Sequence, residues 1–432
     1  MPLRPKSAIS ALVSAAVLAA GGTGVAAAAH RAAGPVQVSL WSYATGYEAQ
    51  AFETEINLFN KSQHQIHVNY LGGVSLQKVT TAISGGSPPD LVDLGEADPL
   101  PSWASEGALT NITSLLKGDG VRLSTFVPGA LAYGMYKGQV YGLPGAFDGN
   151  FLYYNETLLA KAGIKAPPTT FAQLWTDAQK LTVIKNGKIV QAGFVPNGGI
   201  GFAQTGLQLW AYDFGGDWWN SKTGQLTPDN PHNVAALAWE ASYYKKYGYA
   251  RLNTFNSSSF GSGPLGSDPF AFGKVAMEVG GEWLRDFLDH YAPSVKFGEV
   301  ALPVQKAGQR PQEFVDGDLW IVPAHAAHVA AAVKFLAWLQ TPAHYDPICN
   351  KMVNLPQFQA QYANDSWAVP ALKASIELEK RYVVHGIPSV PNLTRYETAI
   401  GNAEQNATFG RESAATALKQ VAAEFKNGSP VP

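Results

Sequence analysis

Two kinds of residue in this sequence could take part in chemistry: isolated carboxylic acids, and tryptophans that follow glycines. Asp148 is the one acid in the run GAFDGNFLYY, and Trp283 closes the run GGEW. A sugar presents apolar C–H faces and polar edges, so aromatic plates and carboxylates are the groups that suit it. The pattern therefore favours binding of a polyhydroxylated ligand at Asp148 and Trp283.

Further candidate residues lie at the ends of predicted strands, beside glycines or near prolines. Contact with the ligand through a ring or a polar group is predicted for Tyr43, Glu96, Asp98, Trp218, Trp219, Asp318, Trp320 and Arg395. Each has a structural alternative, since a tryptophan can pack in a core and an acid can cap a helix or lie in a solvated turn. Of Trp218 and Trp219, one is expected to bind and the other to pack.

Several formal motifs carry no chemistry in this sequence. Gly261–Gly266 fits GxGxxG, but no strand precedes it, so it is predicted to be a loop. Two histidine pairs lack an evident third ligand, so neither a metal nor a cofactor is expected. Asp90 and Asp93 have the residue type of glycosidase carboxylates, but nothing in the sequence fixes their separation.

Composition excludes some partners. The 432 residues carry a formal net charge of -2, without a run of basic residues, so nucleic acid is not an expected partner. Charged residues make up 15% and aromatic residues 11% of the chain, a balance that favours a neutral ligand. The length exceeds that of one ordinary core and predicts two lobes.

The first 29 residues have the layout of a secretory signal peptide. Arg4 and Lys6 precede a stretch rich in Ala, Val and Leu, and small residues follow to Ala29. A membrane anchor is the alternative, which the short, Ala-rich stretch disfavours. The only cysteine is Cys349, so no cysteine follows the signal to take a lipid. The prediction is an exported protein of the periplasm or cell envelope.

The elements that position the candidate residues predict an α/β fold. Strands at Val36–Trp41, Ile66–Tyr70 and Leu91–Leu94 alternate with helices, which implies a parallel sheet with right-handed crossovers. Ligands bind beyond the carboxyl ends of the strands in such sheets. Several candidate residues follow these ends directly. The Ser/Gly-rich stretch Asn253–Ser267 is predicted to be a loop.

Residues 137–170 resemble the matching part of the extracellular solute-binding proteins of ABC importers, the maltose-binding-like sugar-binding family. The family pattern is basic-Gly-x-x-Tyr-Gly-Leu-Pro, then Tyr-Asn-x-x-Leu, a Gly and Pro-Pro-x-Thr. The matching positions are Lys137, Gly138, Tyr141 to Pro144, Tyr154, Asn155, Leu158, Gly163 and Pro167 to Thr170. A second resemblance, to a strand followed by Gly-x-Trp, rests on Phe270, Gly273, Ala276, Met277, Gly281 and Trp283.

The resemblance implies a two-lobed fold like that of periplasmic binding proteins, with two crossovers between the lobes and a ligand cleft at the hinge. The expected lobes are 36–145 with 317–365, and 146–316 with 366–432. In the family, an acid at the position of Asp148 often faces the ligand, and a tryptophan at that of Trp283 commonly stacks on a sugar ring. The implied function is capture of a carbohydrate by hinge closure and its delivery, by a monomer, to an ABC permease. The aromatic content points to a di- or oligosaccharide.

Two alternatives stay open. An exported carbohydrate-active enzyme, a lyase or hydrolase, would use two of the acids. A binding protein of the same fold could instead take a polyamine, a metal ion or a phosphorylated polyol. A polyamine would require more acids facing the pocket, and a phosphate would require an Arg or Lys near the strand ends, which is not evident.

Overall fold

The protein contains two separate main β-sheets, and the chain passes from one to the other at residues 148–151. The computed structural model describes residues 34–198, 206–220, 222–259, 268–314, 316–386, 388 and 390–426. The predicted signal peptide, 1–29, and the predicted loop 261–266 lie outside the described residues. All the described residues except Gly34 belong to one compact unit.

The strands and helices alternate along the chain, as in an α/β protein. The described strands are β1 (Val36–Ser42), β2 (Ile66–Leu71), β3 (Leu91–Leu94), β4 (Met135–Tyr136), β5 (Gln139–Val140), β6 (Gly142–Asp148), β7 (Phe151–Asn155), β8 (Val183–Lys185), β9 (Lys188–Gln191), β10 (Trp219–Asn220), β11 (Gln225–Leu226), β12 (Met277–Gly280), β13 (Phe297–Ala301), β14 (Gln312–Phe314), β15 (Asp316–Ile321) and β16 (Val383–His385). The described α-helices are α1 (Gly46–Ser62), α2 (Leu76–Ser84), α3 (Leu100–Ser105), α4 (Thr113–Gly118), α5 (Pro128–Tyr133), α6 (Glu156–Lys161), α7 (Phe171–Leu181), α8 (Gly206–Asp213), α9 (Pro231–Tyr247), α10 (Tyr249–Ser259), α11 (Trp283–Tyr291), α12 (Val329–Leu339), α13 (Pro342–Met352), α14 (Gln359–Ala363), α15 (Pro370–Glu379), α16 (Leu393–Thr408) and α17 (Ala414–Glu424). A 3₁₀ turn covers Leu123–Thr125.

The first sheet has the strand order β2-β1-β3-β15-β6. β1 runs parallel to β2 and β3, which confirms the predicted parallel core, whereas β15 runs antiparallel to β3 and β6. In this register Trp320 pairs with Asp93, and Asp316 pairs with Asp148. The carboxyl ends of β1, β3 and β6 therefore share one edge of the sheet with the start of β15.

Strand β6 is longer than the sequence indicates. Val140 to Leu143 is a β-prone run that Pro144 and Gly145 would be expected to end, but the strand continues to Asp148. β6 is an edge strand of its sheet, where a proline without an N–H is tolerated. Gly145 is required by close packing, because an added Cβ would lie 2.5 Å from Tyr345 Oη and 2.6 Å from Asp318 Cβ.

The second sheet is built around β7, and only two residues separate β7 from β6. Its order is β12-β7-β13, and both neighbours run antiparallel to β7. Phe151, Leu152 and Tyr153 are fully buried there. Asn155 ends the strand and caps α6 as predicted, since its Oδ1 accepts from the Leu158 N–H at 3.0 Å.

The prediction of a loop at 253–267 is wrong for residues 253–259, which are the end of helix α10. Leu252 and Phe255 bury their side chains at helical spacing. The Asn253 amide donates to the carbonyls of Tyr249, at 2.9 Å, and Thr408, at 3.1 Å, so the helix is tied to α16. The Ser and Gly content gave no sign of these tertiary contacts.

The carboxyl-terminal helices pack on the side of the second sheet. α15 contacts β13, and α16 contacts α8 and α9. β16 pairs in parallel with β14, the strand that precedes the return to the first sheet. These contacts suit the predicted division into lobes, although its boundaries stay a prediction. Within the described residues, no helix has the length and hydropathy needed to cross a membrane.

Candidate functional site

Side chains from β1, β3 and β15 converge where their strands meet at one edge of the first sheet. Ser42 Oγ donates to Asp93 Oδ2 at 2.7 Å. The Tyr43 ring lies over Gly95, where an added Cβ would be 3.1 Å from the ring. Burial, followed by the charge of Asp318, raises the pKa of the Tyr43 hydroxyl group well above its usual range. The predicted residues Tyr43 and Asp318 are therefore neighbours in space.

The carboxyl groups at this edge are buried. Asp93 is 1% exposed and Asp318 is 5% exposed. Burial, followed by the charges of Asp93 and Asp148, raises the pKa of Asp318 well above its usual range. Burial also raises the pKa of Asp93, and it outweighs the hydrogen bond from Ser42, which lowers that pKa. Among the described residues, Asp93 Oδ1 and Asp318 Oδ2 have no hydrogen-bond partner. A protonated carboxyl here can donate a hydrogen bond as well as accept one.

Asp148 lies at the passage between the two sheets and is half-buried. Its Oδ1 accepts from Asn354 Nδ2 at 2.9 Å. The next residue, Gly149, donates its N–H to Glu282 Oε2 at 2.9 Å. Glu282 is fully buried, and its pKa is raised well above the usual range by burial and then by the charge of Asp148. Asp148 is therefore held at the junction of the sheets, next to a second acid.

Helices α1 and α11 face each other across the cleft between the sheets. Burial, and the Asp286 carboxyl group on α11, raise the pKa of the Tyr47 hydroxyl group on α1, so the two groups interact. The rings of Tyr47 and His290 lie 6.3 Å apart. Burial and the charge of Asp286 raise the pKa of Glu48. α1 follows a strand of the first sheet and α11 a strand of the second, so these contacts join the two lobes.

Trp283 is the first residue of α11, directly after β12 and Glu282. The indole is packed against the backbone of Gly281, where an added Cβ would lie 2.1 Å from Trp283 Nε1. Gly281 thus provides the space that the ring occupies. Trp283 remains partly exposed, as a plate for a ligand ring requires.

Two of the predicted plates lie in the core instead. Trp218 is 1% exposed, and its Nε1 donates to the Gln208 carbonyl at 3.0 Å. Trp320 is 0% exposed, and its Nε1 donates to Tyr345 Oη at 3.0 Å. Because neither ring has a free face, the structure favours the packing alternative for both. Trp219, on β10, stays partly exposed.

The remaining predicted residues occupy two different places. Glu96 is half-buried and Asp98 is buried, both between β3 and α3 at the edge that carries Asp93. Arg395 is exposed on α16, with its Nη2 2.8 Å from Glu424 Oε1 on α17. Its guanidinium group also lies over the Phe425 ring, 5.8 Å from the centroid. These contacts direct Arg395 toward α17, and the structure does not bring it to the acids.

Several residues of this site were not predicted from the sequence: Tyr47, Glu48, Asp93, Glu282 and Asp286. Asp93 carried a usable signal, since it is an acid inside an otherwise apolar strand. Glu282 stands between a glycine pair and the predicted plate, which is also informative. Asp286 lies one helical turn after Trp283, but that spacing does not show that it faces Tyr47.

Comparison with known proteins agrees with this architecture. The profile of the family described as bacterial extracellular solute-binding protein matches residues 55–374, well over half of the chain. The chain belongs to this family. The two-lobed α/β fold of the solute-binding proteins was thus correctly predicted.

Three solute-binding proteins illustrate the likeness. CpMnBP1 with mannobiose bound has 30% sequence identity and a TM-score of 0.78, over 90% of this chain and 99% of that chain. The protein Lmo0181 of Listeria monocytogenes, in complex with cycloalternan, has 23% identity and a TM-score of 0.74, over 91% and 98% of the two chains, and shares the fold. A maltooligosaccharide ABC transporter solute-binding lipoprotein of Streptococcus pneumoniae is 23% identical over 367 residues, which are 82% of this chain and 79% of the relative.

Proposed function

We propose that this solute-binding protein captures a di- or oligosaccharide in the cleft between its lobes and delivers it to the permease of an ABC importer. The observation that carries the proposal is the arrangement of Tyr43 and Asp148 on the first sheet opposite Trp283 at the start of α11. This arrangement supplies an aromatic plate and polar groups from two sides. CpMnBP1, at 30% identity, was solved with mannobiose, which makes mannobiose the first ligand to test.

The mechanism follows from contributions by both lobes. A ligand held between Asp148 and Trp283 interacts with both sides only when the lobes are close, so it stabilises the closed state by its differential affinity. Closure also removes water from the polar contacts, which strengthens them. The closed protein is the form that the permease recognises. No bond in the ligand is made or broken, and the exported protein acts as a monomer without a lipid anchor.

A second candidate ligand class, a polyamine, is favoured by the number of acids at the site. Besides burial, the charges of Asp93 and Asp148 raise the pKa of Asp318. The charge of Glu48 likewise raises the pKa of Asp93, and that of Asp286 raises the pKa of Glu48. The sequence alone indicated fewer facing acids than a polyamine would require. A cationic ligand would be attracted to the ionised forms of these carboxyl groups, whereas a neutral sugar can use the protonated forms as donors.

Thermal unfolding of the chain without residues 1–29 tests the proposal. Mannobiose, maltose and maltotriose would be compared with spermidine, glycerol phosphate and zinc. A sugar at about 100 times its dissociation constant should add roughly 2.7 kcal/mol to the free energy of unfolding. A saturable shift with a sugar supports the proposal. A shift with spermidine alone would overturn it in favour of the polyamine.

The enzyme alternative requires its own assay. The protein would be incubated with each oligosaccharide, and the products would be tested for new reducing ends. We expect none, because the proposed mechanism leaves every glycosidic bond intact. Turnover that is lost when Asp148 is replaced would make the protein an enzyme and contradict the transport function.

A further inference from the structure

The Glu282 carboxyl group joins two chain segments that are far apart in sequence. Its Oε2 accepts from the Gly149 N–H at 2.9 Å, and its Oε1 accepts from the Leu355 N–H at 3.0 Å. Gly149 lies in the passage from β6 to β7, and Leu355 follows α13. The two segments are also joined directly, since the Phe147 N–H donates to the Leu355 carbonyl at 3.1 Å. One buried side chain therefore holds two backbone segments at the junction of the sheets.

Each end of this connection is next to a predicted ligand residue. Glu282 immediately precedes Trp283, and Gly149 immediately follows Asp148. A second bond parallels the first, because Asn354 Nδ2, one residue before Leu355, donates to Asp148 Oδ1 at 2.9 Å. If a ligand moves Trp283 or Asp148, the neighbouring residue at the junction, Glu282 or Gly149, is only one peptide unit away and must move with it.

A carboxylate is the side chain that this position requires. Two backbone N–H donors approach from different segments, and a carboxylate offers an acceptor oxygen to each. Hydrogen bonds to a charged acceptor are also the stronger kind. A glutamine would keep the shape but turn one acceptor into a donor, which would face an N–H. Glu282 is 0% exposed, so water cannot replace the lost partner.

We infer that Glu282 is a positioning residue that couples ligand contact at Trp283 to the relative placement of the two lobes. It holds Gly149 and Leu355 in the arrangement in which α1 and α11 touch. The ligand part of this inference rests on the proposed function. The conformational part stands on the geometry of the junction alone and can be tested without any ligand.

The first test uses Glu282→Gln, with Glu240→Gln as a matched control. Glu240 is also 0% exposed, but it lies on α9, away from the junction, where the charge of Glu404 acts on it. Spin labels at exposed Gln50 of α1 and exposed Asp289 of α11 would report the distance between the lobes. We expect a longer or broader distance distribution in unliganded Glu282→Gln than in the wild type and the control. The same distribution in all three proteins would overturn the inference.

A second variant covers the case in which Glu282→Gln does not fold. Glu282→Asp keeps the charge but shortens the side chain by one methylene, so its carboxylate cannot reach both N–H groups. We expect it to lengthen the distance in the same direction. A folded Glu282→Asp with the wild-type distribution would also overturn the inference.

The ligand coupling is tested by a double-mutant cycle on mannobiose affinity with Glu282→Gln and Trp283→Ala. The loss of a buried hydrogen bond to a charged group predicts that Glu282→Gln alone weakens binding roughly tenfold to a hundredfold. If Glu282 transmits the contact of Trp283, the two effects are non-additive, whereas a merely structural role gives additive effects and contradicts the coupling. If no sugar binds the wild type, the proposed function fails while the label distances still decide the inference.

Discussion

The Tyr47 hydroxyl group on α1 interacts with the Asp286 carboxyl group on α11, so these two helices approach each other. The neighbouring Tyr47 and His290 rings reinforce this contact at 6.3 Å. Tyr47 lies two residues beyond the Thr45 cap of α1, and Asp286 lies three residues beyond Trp283, the first residue of α11.

Tyr47→Phe should loosen this contact. The variant keeps the ring but loses the hydroxyl group, so the interaction with Asp286 is lost, at a cost of at most about 1.5 kcal/mol. Small-angle scattering of the unliganded protein should give a larger radius of gyration. Tyr291→Phe is the control, because Tyr291 lies at the end of the facing helix, α11, and is 52% exposed. Equal radii for the two variants would refute the role of Tyr47.

Trp283→Ala should weaken sugar binding while leaving the fold intact. The ring is partly exposed, and its loss removes a stacking plate worth roughly 0.5–1.5 kcal/mol beyond area burial, by analogy with aromatic pairs. Calorimetric titration with mannobiose measures the affinity, and circular dichroism checks the fold. Wild-type affinity in a folded Trp283→Ala variant would remove Trp283 from the site.

Trp218→Ala should behave in the opposite way, because this ring lies in the core. Removing it leaves a cavity and costs about 3–5 kcal/mol in the free energy of unfolding. Urea denaturation measures that loss. A small loss in stability together with a large loss in affinity would restore Trp218 as a ligand residue.

The pH dependence of stability can be traced to a second pair of acids at the junction. Glu313 Oε2 accepts from the Asn150 N–H at 2.6 Å, and the Glu379 carboxyl group lies near enough for its charge to act on Glu313. Burial, and then the charge of Glu379, raises the pKa of Glu313 well above its usual range. The folded protein keeps this proton after the unfolded chain has lost it, at a pKa of about 4.3.

The unfolding free energy should therefore fall as the pH rises above that value, by up to about 1.4 kcal/mol per pH unit for each retained proton. Burial raises the pKa of Glu240 in the same direction. Urea denaturation at about pH 5 and about pH 8 measures the slope. Glu313→Gln, which imitates the protonated acid, should flatten it and stabilise the protein at the higher pH. Glu106→Gln, at an exposed acid, should leave the slope unchanged; equal slopes for the two variants would refute the assignment.

Much of the fold could be predicted from local pattern. β1 and β2 alternate between buried and more exposed residues, whereas β3 and β7 are short and almost wholly buried, and each pattern is typical of a strand. The prediction failed where tertiary context overrides a local signal. Pro144 continues a strand because that strand is an edge, and residues 253–259 form a helix because Leu252 and Phe255 are buried.

The site could be predicted only in part, for a related reason. Asp148 and Trp283 stand at strand ends, which the pattern reveals. The partners of Glu282 are N–H groups 133 and 73 residues away in the chain, so no spacing in the sequence reports them. Likewise, the burial of Trp218 and Trp320 depends on elements packed over them, and a Gly-Gly or Gly-Asp neighbour does not distinguish a plate from a core residue.

Isothermal titration of the chain without residues 1–29 with mannobiose tests the central claim most directly. The proposed function predicts saturable binding of one sugar molecule per chain, with no new reducing ends after prolonged incubation. The heat should fall when the titration is repeated with Trp283→Ala. Absence of binding to mannobiose, maltose and maltotriose, together with saturable binding of spermidine, would contradict the claim and make the cluster of carboxyl groups a site for a cation.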